Sequence, residues 1–174
     1  MKKIILVALM LPMFCFAQKD AIPKNADGNY EYTEVVNVDS ASAEKLYSNA
    51  KLFIVDAFKS GKDVTQLNDD ISKTVAGTGA IQIYLKGLTS GTQYVSFKLN
   101  IQCKDGRYKY DFSNFQYDLV YYGDDHLFAL EDAKRIKRNM VGKQYEQAMQ
   151  QVSDGMKDLI DKLKIKMASK GSDW

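Results

Sequence analysis

The sequence predicts an α+β fold: an antiparallel sheet with helices on one face, in the order strand, helix, strand meander, helix. Three observations carry that prediction. Two alternating apolar and polar runs, Leu99 to Cys103 and Tyr108 to Phe112, flank Asp105-Gly106, the pattern of a hairpin. Apolar residues recur every three or four positions from Ala43 to Phe58, and again from Tyr145 to Leu163, which is the period of a helix burying one stripe. The chain has 174 residues, 45% hydrophobic and 26% charged, enough to build one core and too apolar for a disordered chain. Only 2 Pro and 11 Gly exclude a linker protein.

Residues 1–17 read as a signal peptide. Lys2 and Lys3 precede a mostly apolar run from Ile4 to Phe16, and Cys15 and Ala17 are the small residues at the cleavage positions. Met13 and Phe14 stand where a lipidation signal places small residues, so the reading is release rather than anchoring, with a mature chain from Gln18. The expectation is an exported protein, periplasmic or secreted. No later segment reaches the roughly 20 apolar residues of a membrane span. Loss of Cys15 leaves Cys103 alone, so no internal disulfide is expected.

Residues 18–28 are polar and carry Pro23 and Asp27-Gly28, and they read as a flexible mature N-terminus. Tyr30 to Val38 alternates as a half-buried strand. Asp39, Ser40 and Ser42 offer N-caps for the helix from Ala43 to Phe58, which Gly61 ends. Val64 to Leu67 reads as a short strand before a turn at Asn68-Asp69-Asp70. Ile71 to Leu85 follows as a long strand, with Gly77 and Gly79 on its inward face leaving room for a close neighbour.

A two-residue type I′ turn at Asp105-Gly106 pairs Cys103 with Tyr108, Ile101 with Tyr110 and Leu99 with Phe112 on one face. The other face then pairs Gln102 with Lys109 and Asn100 with Asp111. After Phe112 the apolar parity shifts to Phe115, Tyr117, Leu119 and Tyr121, which predicts a bulge near Ser113-Asn114. Leu127 to Arg138 and Gln144 to Met167 read as helices. The division expected is an α+β domain over 29–123 and a C-terminal helical segment over 124–174.

The segment from Tyr30 to Phe115 resembles the secreted bacterial domain of unknown function that has a TATA-binding-protein-like (TBP-like) fold. The residues that carry the resemblance are the strand from Tyr30 to Val36, the helical Lys51-Leu52-Phe53-Ile54, the glycine-bearing strand Thr74 to Ile83, and Lys104 to Phe112. The resemblance implies that sheet-and-helix fold and brings no activity, cofactor or catalytic residue. DNA binding does not follow from the fold name.

The +2 net charge comes from 24 basic and 22 acidic residues, and removing Lys2 and Lys3 leaves the mature chain formally neutral. No wholesale nucleic-acid binding is expected. His126, in Tyr121-Tyr122-Gly123-Asp124-Asp125-His126, is the sole histidine. It lacks a metal-ligand spacing and reads as part of a solvated turn. Cys103 alternates with apolar residues and reads as a buried, inert thiol rather than a nucleophile. Asp69-Asp70 and Asp124-Asp125 read as solvated turn carboxylates, and the lysines and arginines from Lys134 to Lys143 as a solvated helix face. No catalytic motif and no cofactor site is found, so the expected function is a non-enzymatic binding module; an envelope structural factor and a hydrolase are the rivals. If both long helices cover one face of the sheet, the other is bare. The candidate partner-binding residues there are Tyr84, Lys98, Asn100, Gln102, Lys109 and Asp111, with Tyr84 as anchor for a protein or glycan partner. Ordinary solvation of that face is the competing reading.

Overall fold

The computed structural model describes residues 22–58, 67–87, 91–118 and 127–169. Its elements are β1 (Tyr32–Asn37), α1 (Ala43–Ala57), β2 (Leu67–Asp69), β3 (Thr74–Leu85), β4 (Gly91–Lys104), β5 (Arg107–Asp118), β6 (Leu127–Ala129), α2 (Ala133–Lys137) and α3 (Gln144–Met167). The sheet runs β1-β5-β4-β3-β2, every pair antiparallel, and β6 joins β5 beyond the end of β1. The expected signal peptide over 1–17, Gly61, Val64 and the segment containing Leu119 and Tyr121 to His126 lie outside the described residues.

The alternation within β4 and β5 decides which way the sheet faces. Val95, Phe97, Leu99, Ile101 and Cys103 of β4 are buried with Tyr108, Tyr110, Phe112, Phe115 and Tyr117 of β5. α1 adds Leu46, Tyr47, Ala50, Phe53 and Ile54 to that core, and α3 adds Val152, Met156, Leu163 and Met167. The α+β prediction therefore holds, with both long helices on one face. α3 is held to β1 and β5 by Lys164 and Tyr110, which both meet Glu34 Oε2 at 2.7 Å. Its C-terminus is held to α1, where the buried Asn49 amide donates to the carbonyls of Met167 and Ser169 at 3.2 and 3.0 Å.

The hairpin register is the one expected: Cys103 opposes Tyr108, Gln102 opposes Lys109 and Asn100 opposes Asp111. Its turn is not type I′. Gly106 has φ +73°, but Asp105 is not among the residues with positive φ, and type I′ needs both. The physical reason is that the turn is docked. Asp105 Oδ1 accepts the Ala43 N–H at 2.7 Å, Gly106 donates to the Ala41 carbonyl, and the Gly106 carbonyl accepts from Val38. The bulge falls where the parity shift placed it: the register slips between Ser96 and Lys98, and Asn114 on β5 has φ +53°. Gly79 provides the expected room, because a Cβ there would lie 2.3 Å from a Phe58 ring carbon.

Further expectations differ from the structure, among them the turn expected at Asn68-Asp69-Asp70, where Asn68 and Asp69 pair with Val75 and Thr74 as part of β2 and the turn begins at Asp70. Leu127 to Arg138 is not one helix; Leu127–Ala129 pairs with β5, and only Ala133–Lys137 is helical, capped by the Asp132 side chain. Ile71 lies in the β2–β3 turn, 97% exposed, because Asp69 Oδ1 accepts the N–H groups of Ile71 and Ser72 and holds the chain in a turn up to Thr74. From residue 22 onward the N-terminal segment packs on the fold. Ile22 is buried in the core, Lys24 bridges Tyr30, and Tyr30 donates to Glu131 Oε1 at 2.7 Å.

Candidate functional site

The uncovered face of the sheet is the candidate site, and its rows follow from the register. Asn37, Arg107 and Lys104 form the row nearest the hairpin turn. Val35, Lys109, Gln102 and Thr74 form the next, and Thr33, Asp111, Asn100 and Ala76 the third. Ser113, Lys98 and Thr78 follow. All six expected face residues point this way, but only five are neighbours. Tyr84 opposes Thr92, whereas Thr78 opposes Lys98, so Tyr84 stands six residues along β3 from the lysine row, roughly 20 Å at strand rise. That spacing sets Tyr84, expected as the partner's anchor, well apart from the lysines expected to steer its approach. Tyr84 instead lines a groove of about 600 Å³ with Lys86, Lys143 and Gln151, and its N–H and C=O are both bonded by the Gln151 amide.

The sequence reading missed Lys104, Arg107 and Val35. The signal was present in the hairpin register, since residues flanking the Asp-Gly turn must oppose each other. Lys104 and Arg107 do so, and like charges directly opposed destabilise a pair unless something neutralises them. Val35 is 56% exposed on the same face, and with Gln102, Lys104, Arg107 and Lys109 it lines a hollow of about 190 Å³.

Charge is handled differently on the two sides of the molecule. On the helical side Lys51 meets Asp70, Lys73 meets Glu44, Lys164 meets Glu34 and Lys166 meets Asp56. On the open face Lys98, Lys104, Arg107 and Lys109 make no ion pair among the described residues. The acidic border is Asp111 with Glu31. Partial burial raises Asp111 above its ordinary 3.8, opposed by the hydrogen bond from Ser113 Oγ at 2.8 Å and reinforced by Glu31. Glu31 is lowered, chiefly by its side-chain interaction with Asp111. Asn100 Oδ1, beside Asp111, is out of water with no hydrogen-bond partner. Cys103 lies on the covered face, and burial pushes its thiol up to about 12, a protonated thiol with little nucleophilicity at neutral pH.

The model of a domain of unknown function, DUF4468, described as having a TBP-like fold, matches residues 32–118. The chain belongs to this family. No curated protein matches it significantly. Two crystal structures are similar. A TBP-like protein from Parabacteroides distasonis has a TM-score of 0.60 and 14% identity, over 82% of this chain and 97% of its own. A DUF4468 family protein from Bacteroides ovatus has a TM-score of 0.65 and 14% identity, over 88% and 94%. At that identity the likeness speaks for the fold, and its coverage extends well past Asp118, the end of the family match.

Proposed function

We propose that this DUF4468 member is an exported, non-enzymatic interaction module whose open sheet face docks an anionic partner. The observation that carries the reading is the contrast in charge pairing. Lys51, Lys73, Lys164 and Lys166 on the helical side meet carboxylates, while Lys98, Lys104, Arg107 and Lys109 share two adjacent strands with no ion pair among the described residues, Lys109 alone acting at longer range on Asp111 and Glu31. Opposed like charges are costly in an isolated sheet, and an anion arriving from outside relieves that cost. The buried Cys103 thiol supports a structural rather than a nucleophilic role for the sole cysteine after the leader.

The test is Lys98→Glu with Lys109→Glu in the exported protein, set beside Tyr84→Ala. Both side chains are exposed, so stability should change by no more than about 0.5 kcal/mol. The double variant should lose the molecules that co-purify from the native envelope, identified by mass spectrometry. Tyr84→Ala should keep them, because it stands apart from the lysine row. Unchanged recovery with the double variant would return the face to ordinary solvation.

A further inference from the structure

β1 is one edge of the sheet among the described residues, and its hydrogen-bonding direction can be read from two bonds. Val38 donates inward to Gly106, and Glu31 donates outward to Pro23. Alternation between them turns the N–H and C=O groups of Thr33, Val35 and Asn37 away from β5. The slot has a definite end: the Pro23 carbonyl occupies the edge at Glu31, where Pro23, Asn25, Glu31 and Thr33 border a hollow of about 300 Å³. Edge strands left open in this way are templates for an incoming strand unless they are guarded.

The guard here selects by charge. Val35 and Asn37 lie on the open face with Lys109 and Arg107 as their β5 neighbours. A strand laid beside β1 would sit two strand spacings, roughly 10 Å, from β5. Lysine or arginine side chains reaching over Val35 and Asn37 span that gap to an acidic side chain on the new strand. At the next row Thr33 is backed by Asp111, which favours a neutral residue. A second copy of this chain fits poorly, because β1 against β1 would set two rows of Arg107 and Lys109 facing each other on one side of the joint sheet.

We propose that the edge of β1, which no described strand covers from Thr33 to Asn37, binds an extended peptide by strand addition, with acidic side chains placed against Val35 and Asn37. The inference rests on the reading of the open face as a docking surface and narrows its partner to an acidic protein segment. The backbone of Thr33, Val35 and Asn37 supplies the strand bonds, and Lys109 and Arg107 supply the sign of charge.

The probe is an end-blocked peptide alternating glutamate with valine, set against one alternating lysine with valine, and titrated into the full mature protein. The glutamate peptide should slow amide exchange at Thr33, Val35 and Asn37 by about tenfold or more, and the lysine peptide should not. Methylating the glutamate peptide's backbone nitrogens on its inward side should weaken binding by about tenfold or more in the unaltered protein, so the result does not depend on any variant folding. Val35→Pro, which removes an outward N–H and is tolerated on an edge strand, should do the same. Arg107→Glu with Lys109→Glu should invert the preference between the two peptides. Slow exchange at the three amides without any peptide would overturn the inference, because the edge would already be occupied. Equal affinity for the methylated peptide, or for Val35→Pro, would also overturn it and would place binding on the face rather than the edge. That outcome leaves the docking-face reading intact, whereas indifference of native partners to Lys98→Glu with Lys109→Glu removes the face itself.

Discussion

At the scale of single residues, the open face and the helical side respond to pH with opposite signs. Glu34 is lowered from its ordinary 4.5, first by the hydrogen bond from Lys164 and then by that from Tyr110. A lowered carboxylate stabilises the fold above its unfolded value, and the contribution fades as pH falls through the lower folded value. Asp111 is raised, so its ionised form is the disfavoured one in the fold. No cost exists below the unfolded value, and the cost sets in as pH rises through the raised folded value. Carboxyl-carbon NMR titration should therefore place Asp111 above 3.8 and Glu34 below 4.5. Lys109→Gln should raise Asp111 further, since the Lys109 charge now holds it down; a fall would show that Lys109 does not act on it. Gly79 makes a second prediction. A methyl group there meets the rings of Phe58 and Phe97 at 2.3 to 2.8 Å, so Gly79→Ala should cost about 1 to 3 kcal/mol through overpacking. Phe58→Ala in the same chain should relieve the closest of these contacts and so reduce the cost of the methyl, leaving that of the Phe97 ring at 2.8 Å, a coupling that denaturant melts of the four-member cycle would read directly.

Between neighbouring elements, the Asp105-Gly106 turn does more than reverse the chain. Asp105 carries its carboxylate to the Ala43 N–H, so the β4–β5 hairpin caps α1 together with Ser42, whose Oγ accepts from Lys45 at 3.2 Å. Asp105→Ala should cost about 0.5 to 2 kcal/mol, the range of a lost N-cap acceptor. The loss should appear as faster amide exchange in the first turn of α1 rather than in β4 or β5. Asp105→Asn should recover most of it. The same turn shows what the sequence could and could not disclose. Hairpin register was legible because one face of Leu99 to Cys103 and Tyr108 to Phe112 is wholly apolar, and a slip by one residue would bury Gln102 and Lys109. Turn type was not legible, because it depends on Ala41 and Ala43, distant in sequence, which bind both turn residues. β6 was illegible for a related reason: three residues are too few to show a period, and only pairing with Gln116 to Asp118 makes Leu127 to Ala129 a strand. On the candidate face, side-chain direction followed from alternation, but position along β3 did not. Tyr84 was grouped with lysines that β4 places six residues away.

Across the whole molecule, the helices after β6 are part of the sheet's core. Met156 is fully buried, and neighbouring Gly155 approaches β3 so closely that a Cβ would lie 2.9 Å from Ile81 Cγ2. Asn49 and Glu34 tie the far end of α3 to α1 and β1. A boundary at residue 123 consequently divides the chain by composition, while packing runs through it: Val152, Met156, Leu163 and Met167 belong with Phe97, Leu99 and Ile54. The consequence is one cooperative unit, which a single buried truncation can expose. Met156→Ala should cost about 2 to 5 kcal/mol, the range for a methionine side chain removed from a core. That cost should be felt everywhere at once. Cys103 sits on β4 and is reachable by thiol reagents only when the sheet opens, so its labelling reports on the sheet, whereas far-ultraviolet circular dichroism is dominated by α1 and α3. In both the parent and Met156→Ala, the two probes should give the same denaturant midpoint, shifted together and with unchanged slope. Helical signal lost at a lower midpoint than Cys103 becomes reactive would show instead that the C-terminal helices detach from a sheet able to stand without them.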